Sequence, residues 1–361
     1  MRVLFAGGGT GGHLYPALAL ADELKRRDSN VTIAFMGTKD RIEARLVPAA
    51  GYPFYPVTVM GMPRRLSPEL LRFLKTLYSS LTEARSILHA FKPDVVVGTG
   101  GYVSAPAILA GALEKVPTLI CEQNSLPGLA NRMLSYFARE VVTTFPKSES
   151  FFPRGKSTCL GNPIRSDVYS LTRQEARKLL GFPSTPYLLL ITGGSLGARS
   201  INRAVIEALP SWLAQKDWSI LHLSGPGDHA TVAAATSVMG DRYRLEPYME
   251  TMPLAIASAD LVLSRAGATT VAELTAAGKP MILVPFEHGG KDQPANAAAL
   301  QKLGAALVVP DSDMSKLETL VEDLMKDEKR RQAMAEASLQ QGRPQAAQAI
   351  VEKIVSLARS R

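Results

Sequence analysis

Short apolar runs recur along this chain. Each is closed by glycines or polar residues and followed by a stretch with apolar side chains at helical spacing. In the first half the runs fall at residues 3–6, 31–36, 55–59, 95–98, 118–122, 141–144 and 157–160. A brief apolar run between turn signals reads as a buried strand. Strands alternating with helical stretches build βαβ units, and hence a largely parallel sheet. Gly161, Asn162, Pro163, Ile164 and Arg165 then interrupt the pattern as a hinge would. It restarts with runs at 187–192, 219–224, 243–245, 261–264, 281–284 and 306–309, and ends in an Ala/Ile/Val-rich helical tail. The expectation is an α/β fold of two Rossmann-like, doubly wound domains, 1–163 and 164–343, with the tail helix 344–361 joined to the first.

Two segments depart from this rhythm. Residues 95–113 carry no charge over 19 positions, but Gly98, Gly100, Gly101, Pro106 and Gly111 interrupt them. Strand, loop and helix therefore fit better than a membrane span. In residues 62–92, Leu70, Phe73, Leu74, Leu77 and Leu81 recur at helical spacing, and Arg64, Arg65, Arg72, Lys75, Arg85 and Lys92 outnumber Glu69 and Glu83. One reading is a core-facing helix with a solvated basic face. The other is a membrane-surface patch of apolar side chains ringed by cations.

Charge bears on that choice. Lys and Arg number 19 against 12 Asp and Glu in residues 1–164, a net +7, so the remainder supplies only +1 of the overall +8. A basic domain meets nucleic acid, anionic lipid or an acidic substrate. The length of 361 residues suits two domains. Cys121 and Cys159 sit among apolar or small residues, and are expected as buried free thiols. The opening residues run straight into glycines, with no signal-peptide pattern.

The candidate chemistry sits where strands end. Gly7, Gly8, Gly9, Gly11 and Gly12, interrupted only by Thr10, follow the first strand, and His13 opens a helical stretch. Strand, glycine loop and helix present backbone N–H groups to an anion. Gly7, Gly9 and Gly12 match the dinucleotide-binding spacing, but the second strand closes on Gly37 and Thr38, where that motif wants an acid. Thr99 to Tyr102 and Glu122, Gln123 and Asn124 end two further strands. In the second half Gly193, Ser195 and Gly197 match both a phosphate-cradling loop and a hydrolase nucleophile elbow, with Asp260 and His288 following in triad order. The cradle is preferred, because a hydrolase leaves the first glycine loop and the basic half unexplained.

Ser264, Arg265, Ala266 and Gly267 lead into a helix beginning at Ala268, Thr269 and Thr270. Its free N–H groups and dipole suit a diphosphate, and Arg265 offers a charge. Glu273, one turn in, is placed to take two ribose hydroxyls; the plainer reading is a capping box of Thr270 with Glu273. Gln293 and Asn296 offer amides to sugar hydroxyls. Asp311 and Asp313 form a D-x-D pair, read as helix caps rather than as a metal site. No other cluster has metal-ligand spacing, and neither a metal nor a cofactor is expected.

Taken together, these motifs resemble the MurG family of UDP-N-acetylglucosamine transferases, which make lipid II from lipid I in bacterial cell-wall synthesis. The resemblance runs over nearly the whole chain, in order: Gly8 to His13, Gly100 to Ser104, Glu122 to Asn124, Gly161 to Pro163, Gly193 to Ser195, Ser264 to Glu273, and Asp292, Gln293 and Asn296. It implies a GT-B architecture with the active site in the cleft between the domains, the donor nucleotide on the second and the lipid-linked acceptor on the first. It implies substrate contacts at Thr10, Gly11, Gly12, Asn124, Arg165, Ser195, Met249, Ala268, Thr269, Thr270, Val271, Ala272, Glu273 and Gln293, to which the reading of the loops adds Tyr102 and Arg265. The partners it implies are UDP-N-acetylglucosamine, lipid I, anionic lipids of the cytoplasmic membrane face and other cell-wall synthesis proteins, with no nucleic acid. Cys121 stands where many members carry histidine, so no role transfers to it, and the glycine-rich stretch from His288 to Lys291 is a second departure.

The reaction so implied inverts an α-linked donor to a β-1,4 product and needs a base. His13 is the first candidate, because a helix N-terminus disfavours its imidazolium form. Glu122 is the alternative. Competing readings are a GT-B transferase with a soluble acceptor, an NAD-dependent oxidoreductase using the first loop, a hydrolase using Ser195, and a non-catalytic nucleotide-binding module.

Overall fold

The computed structural model describes residues 1–61, 69–164, 171–182, 185–288 and 290–360. The chain divides into two compact units, Met1–Ile164 with Gln345–Arg361, and Arg165–Pro344. In the first, the strands are β1 (Arg2–Gly7), β2 (Thr32–Gly37), β3 (Phe54–Pro56), β4 (Val95–Gly100), β5 (Thr118–Glu122), β6 (Glu140–Thr143) and β7 (Ser157–Cys159). All pair in parallel, in the order β3-β2-β1-β4-β5-β6-β7. The helices are α1 (Gly11–Arg27), α2 (Ile42–Ala49), α3 (Glu69–Phe91), α4 (Ser104–Leu113) and α5 (Leu129–Leu134).

In the second unit the strands are β8 (Tyr187–Thr192), β9 (Trp218–Leu223), β10 (Tyr243–Glu246), β11 (Leu261–Ser264), β12 (Met281–Leu283) and β13 (Ala306–Val308). They form a second parallel sheet, in the order β10-β9-β8-β11-β12-β13. Its helices are α6 (Arg173–Leu180), α7 (Arg199–Ala214), α8 (His229–Thr236), α9 (Met252–Ser258), α10 (Ala268–Ala276), α11 (Asp292–Lys302), α12 (Leu317–Lys326) and α13 (Glu328–Gln341); α14 (Ala346–Arg359) closes the chain. Every apolar run read from the sequence carries a strand. The third is displaced, because Phe54, Tyr55 and Pro56 are the residues that pair with Phe35, Met36 and Gly37.

Continuous burial along β1, β4 and β8 follows from helices on both faces. One face of the first sheet packs Leu14, Leu20 and Leu24 of α1 with Ile350, Ile354 and Leu357 of α14, so the end of the chain completes the core that its beginning opens. The other face packs Ala84, Leu88 and Phe91 of α3 with Ala107 and Ile108 of α4 and Leu134 of α5.

The helix α3 bears out the core-facing reading of its apolar stripe only in part: Leu70, Phe73, Leu77 and Leu81 are half-buried, and Leu81 packs against the core. The buried side is Ser80, Ala84, Leu88 and Phe91, at a helical repeat one turn further on. Of the stripe, Leu74 is 51% exposed, and beside it Leu71 and Tyr78 are 74% and 72% exposed. Arg72 and Lys75 are exposed among them. Arg64 and Arg65 lie outside the described residues, as do Arg165 and the C-terminal part of the hinge segment. Among the described residues, no helix is long and apolar enough to cross a membrane.

In each sheet the strand order reverses once, between β1 and β4 and between β8 and β11. Loops leaving the carboxyl ends of such neighbours diverge to opposite faces and open a crevice, where ligands of doubly wound sheets bind. The four loops concerned are the three glycine-rich ones and the Arg265, Ala266 and Gly267 turn singled out above.

Candidate functional site

In the first unit the loop after β1 is held by its neighbours. A Cβ on Gly7 would lie 1.9 Å from Thr99 Oγ1, and one on Gly101, whose φ is +79°, would lie 2.5 Å from the Gly8 carbonyl oxygen. Glycine is therefore required where the β1 and β4 loops touch. Thr99 donates its hydroxyl to the His13 carbonyl at 2.8 Å. Ser104 Oγ accepts the Gly100 N–H and donates to the Ala6 carbonyl, both at 2.9 Å. Thr10 is the N-cap of α1, so Gly11 and Gly12 supply its first two N–H groups and His13 stands third. Early N–H groups have no acceptor within a helix. The half-buried His13 imidazole lies against Gly100, where a Cβ would come within 2.3 Å of Nδ1. Tyr102, 61% exposed, rests its ring on Gly61.

Glu122 is corrected as a base candidate. It is 3% exposed, and its carboxylate accepts the Asn124 N–H at 2.9 Å, the Gly128 N–H at 3.2 Å and the Asn131 side-chain amide at 2.8 Å. Those bonds occupy the oxygens a base would use and fix the loop that carries Asn124. Gln123 is likewise structural, donating to the Thr99 and Cys121 carbonyls at 2.8 and 3.1 Å. Burial, with the Glu122 charge beside it, pushes the Cys121 thiol up to about 12, so it stays protonated and inert.

In the second unit the loops after β8 and β11 flank the other crevice. Gly197, at φ +77°, has no room for a Cβ, which would stand 2.1 Å from the Ser224 carbonyl oxygen. This close approach leaves Ser195 exposed at the loop tip. The hydrolase triad is excluded by position. Ser195 follows the carboxyl end of β8, whereas Asp260 precedes β11 and accepts the Leu188 N–H at 2.6 Å, at the opposite end of the same strands. Asp260 is spent on ion pairs to Arg173 and Arg177.

Gly267 is the N-cap of α10, with no side-chain cap, and the first helical bond runs from the Val271 N–H to the Gly267 carbonyl at 2.9 Å. The N–H groups of Ala268, Thr269 and Thr270 thus precede the helical ladder. The capping-box reading of Thr270 and Glu273 is corrected, because the helix starts two residues before Thr270. Thr269 Oγ1 is buried with no hydrogen-bond partner among the described residues, which costs free energy unless a bound group completes it. Ala272 and Glu273 are half-buried on the next turn, Val271 faces the core, and Met249 is 8% exposed. Gln293 Oε1 accepts the Phe286 N–H at 2.9 Å, which fixes the amide with its NH2 end to donate.

Three further expectations are corrected here. Arg265 is not a diphosphate ligand: it is 8% exposed, donates to Asp311 at 2.8 and 3.3 Å, to the Val284 carbonyl at 3.1 Å and to Ser200 Oγ at 3.0 Å, and stacks over Phe286. Asp311 is its counter-ion rather than a cap. Burial pushes that carboxyl up, but the hydrogen bonds from Arg265 and Ser200, with the nearby positive charge, outweigh it and hold Asp311 below the usual carboxylate range. Asp313 binds Ser315 and Lys316 side chains instead of helix N–H groups. Asn296 is fully buried and donates to the Ala266 carbonyl at 3.2 Å, bracing the turn before α10 rather than offering its amide to a sugar. Among the described residues, no group of three or more His, Cys, Asp or Glu side chains is placed to hold a metal.

One residue at the first crevice was missed. Glu43, fully buried at the start of α2, accepts the Gly9 N–H at 2.9 Å, the Thr38 N–H at 3.0 Å and the Thr38 hydroxyl at 2.6 Å. The signal for it was the absence of an acid at the end of β2, beside a glycine that nothing else explained.

Residues 3–143 match the glycosyltransferase family 28 N-terminal domain, and residues 188–350 the C-terminal domain of the same family. A Desulfitobacterium hafniense protein named UDP-N-acetylglucosamine–N-acetylmuramyl-(pentapeptide) pyrophosphoryl-undecaprenol N-acetylglucosamine transferase is 42% identical over 98% of both chains. A Halothermothrix orenii protein of the same name is 40% identical over 99% of this chain and 100% of its own. The crystal structure of Acinetobacter baumannii MurG superposes with a TM-score of 0.77 at 29% identity, over 98% of this chain and 99% of that one.

Proposed function

Because this chain belongs to glycosyltransferase family 28, we propose that it transfers N-acetylglucosamine from UDP-N-acetylglucosamine to the 4-hydroxyl of N-acetylmuramic acid in lipid I, forming lipid II for peptidoglycan. The relatives' shared name supports the donor and acceptor. The observation in the fold that carries the reading is the start of α10: three N–H groups ahead of the helical ladder and a buried, unpartnered Thr269 hydroxyl at the β8/β11 crevice. That constellation suits a diphosphate, since N–H donors at a helix N-terminus stabilise the negative charge growing on departing UDP. The GT-B pair of Rossmann-like domains divides the work: the second unit takes the nucleotide, and the first takes the acceptor.

In the reaction the acceptor oxygen attacks the anomeric carbon from the face opposite UDP. The new C1–O4 bond forms as the bond to the β-phosphate oxygen breaks, and the hydroxyl proton passes to the His13 imidazole. Ser195 and Gln293 donate to the donor, and Met249 contributes apolar surface beside the nucleotide. Thr10, Gly11, Gly12, Tyr102 and Asn124 form the acceptor side, with Arg165 a further substrate contact. Incubation with UDP-N-acetylglucosamine and a short-chain lipid I analogue should yield UDP and the disaccharide product. Transfer to soluble sugars but not to the analogue would overturn the acceptor assignment.

Glu273, on the second turn of α10, is the ribose ligand in this reading. A hydrogen bond to a charged group is worth ~1.5–3 kcal/mol, so Glu273→Ala should raise the donor KM about 10–100-fold. An unchanged donor KM in steady-state assays removes Glu273 from the site.

The first unit meets an anionic membrane through α3. Leu71, Leu74 and Tyr78 stand exposed beside Arg72 and Lys75, and a lipid-linked acceptor requires the enzyme at the bilayer surface. Each cation near anionic lipid contributes ~1 kcal/mol. Replacing Arg64, Arg65, Arg72 and Lys75 with glutamine should release the protein from phosphatidylglycerol vesicles, as should high salt, while turnover of a water-soluble acceptor persists. Vesicle binding insensitive to both treatments refutes docking through this face.

A further inference from the structure

We propose that Glu43 is a positioning residue for the acceptor site: a built-in anion that takes the Gly9 N–H of the first glycine loop and directs substrate toward the donors at the start of α1. The proposal rests on the reading above that the first unit takes the acceptor. Its physical basis is independent of that reading.

A glycine loop after the first strand of a doubly wound sheet ordinarily offers its N–H groups to a phosphate. Here one of those donors is already taken. The Gly9 N–H points to Glu43 Oε2 at 2.9 Å, while Oε1 accepts both the N–H and the hydroxyl of Thr38. The carboxylate is fully buried, and two glycines make room for it. A Cβ on Gly8 would lie 2.3 Å from the Glu43 carboxyl carbon, and one on Gly37 would lie 2.6 Å from its Cγ. The acid that a dinucleotide site places at the end of β2 to hold a ribose is thus replaced by one on α2, turned inward onto the loop.

Two consequences follow. A pyrophosphate cannot also sit on the Gly9 N–H, because that donor is already given to a carboxylate whose negative charge would repel a second anion. This removes the NAD-dependent reading of the loop on physical grounds. Gly11 and Gly12 at the helix start, beside Thr10, remain as donors, and Glu43 steadies their position by tying the loop to the end of β2. One carboxylate thereby sets which part of the loop an anionic acceptor can reach.

Glu43→Gln keeps the size and one acceptor oxygen but removes the charge and turns an amide NH2 toward a donor. We expect its melting temperature to fall by no more than a few degrees and its acceptor KM to rise about tenfold or more, on the scale of a lost charged hydrogen bond, with the donor KM unchanged. Amide hydrogen exchange at Gly9 should speed up, which reports the loop directly. Glu43→Asp, which keeps the charge on a shorter arm, should recover part of the acceptor KM. A rise confined to the donor KM, with faster Gly9 exchange, would uphold positioning by Glu43 and overturn the acceptor assignment of the first unit. Unchanged Gly9 exchange and unchanged KM values overturn the proposal, as does a loss of activity in both variants that only tracks melting temperature.

Discussion

His13→Ala is expected to lower kcat by about 10²–10⁴-fold, the usual contribution of a positioned base, while the donor Kd stays where it was. The loop does not depend on this side chain for its shape. Thr99 holds the His13 backbone carbonyl, Glu43 holds Gly9, and Ser104 ties Gly100 to Ala6. What the side chain adds is an imidazole resting on Gly100 at the third position of α1, with a ring nitrogen that can accept a proton. His13→Gln gives the complementary test, since it fills much of the same space without a basic nitrogen. Both variants should keep the wild-type melting temperature within a few degrees and the wild-type donor affinity by calorimetry. If kcat in either falls less than about tenfold, below the range for a lost base, the proton goes to solvent and His13 only braces the loop.

The architecture was legible because it is written in local pattern. Apolar runs of strand length, punctuated by glycine and proline, located the strands of both sheets, and the repeated strand–glycine–helix order marked candidate loops that the sheets place where strand order reverses. What the pattern could not convey is which side chains meet across long stretches of chain. Arg265 reads as a free cation beside a helix start until Asp311, 46 positions away, is seen against it. Asn296 reads as a sugar ligand until its amide is found on the Ala266 carbonyl. The stripe on α3 runs in phase with the buried Ala84, Leu88 and Phe91, but in the first turns of the helix it is only half covered and Leu74 stands exposed. In each case the residue type was informative and the partner decided its role.

Glu122 shows the same principle in a form that can be measured. Its carboxylate receives three donors from the loop and helix that follow β5. Glu122→Ala leaves those donors facing a small buried gap, at about 1–3 kcal/mol for each group left unsatisfied. Several kcal/mol are therefore at stake, and a unit of this size loses about 2–4 °C of melting temperature per kcal/mol. A fall on the order of 10 °C is expected. Activity should fall with it, because the Asn124 loop comes loose. Glu122→Gln separates structure from chemistry. With its carbonyl oxygen toward Gly128 and Asn131 it keeps two of the three bonds, and only the Asn124 N–H faces an amide donor. That variant should melt a few degrees lower and keep kcat within about tenfold of wild type at 25 °C, above the loss expected for a missing base. A true general base gives the opposite pair of results, because an amide cannot accept the proton: a near-native melting temperature with kcat reduced about 10²–10⁴-fold. Melting curves and kcat for this one substitution thus decide whether the proton leaves through Glu122 or through another group such as His13.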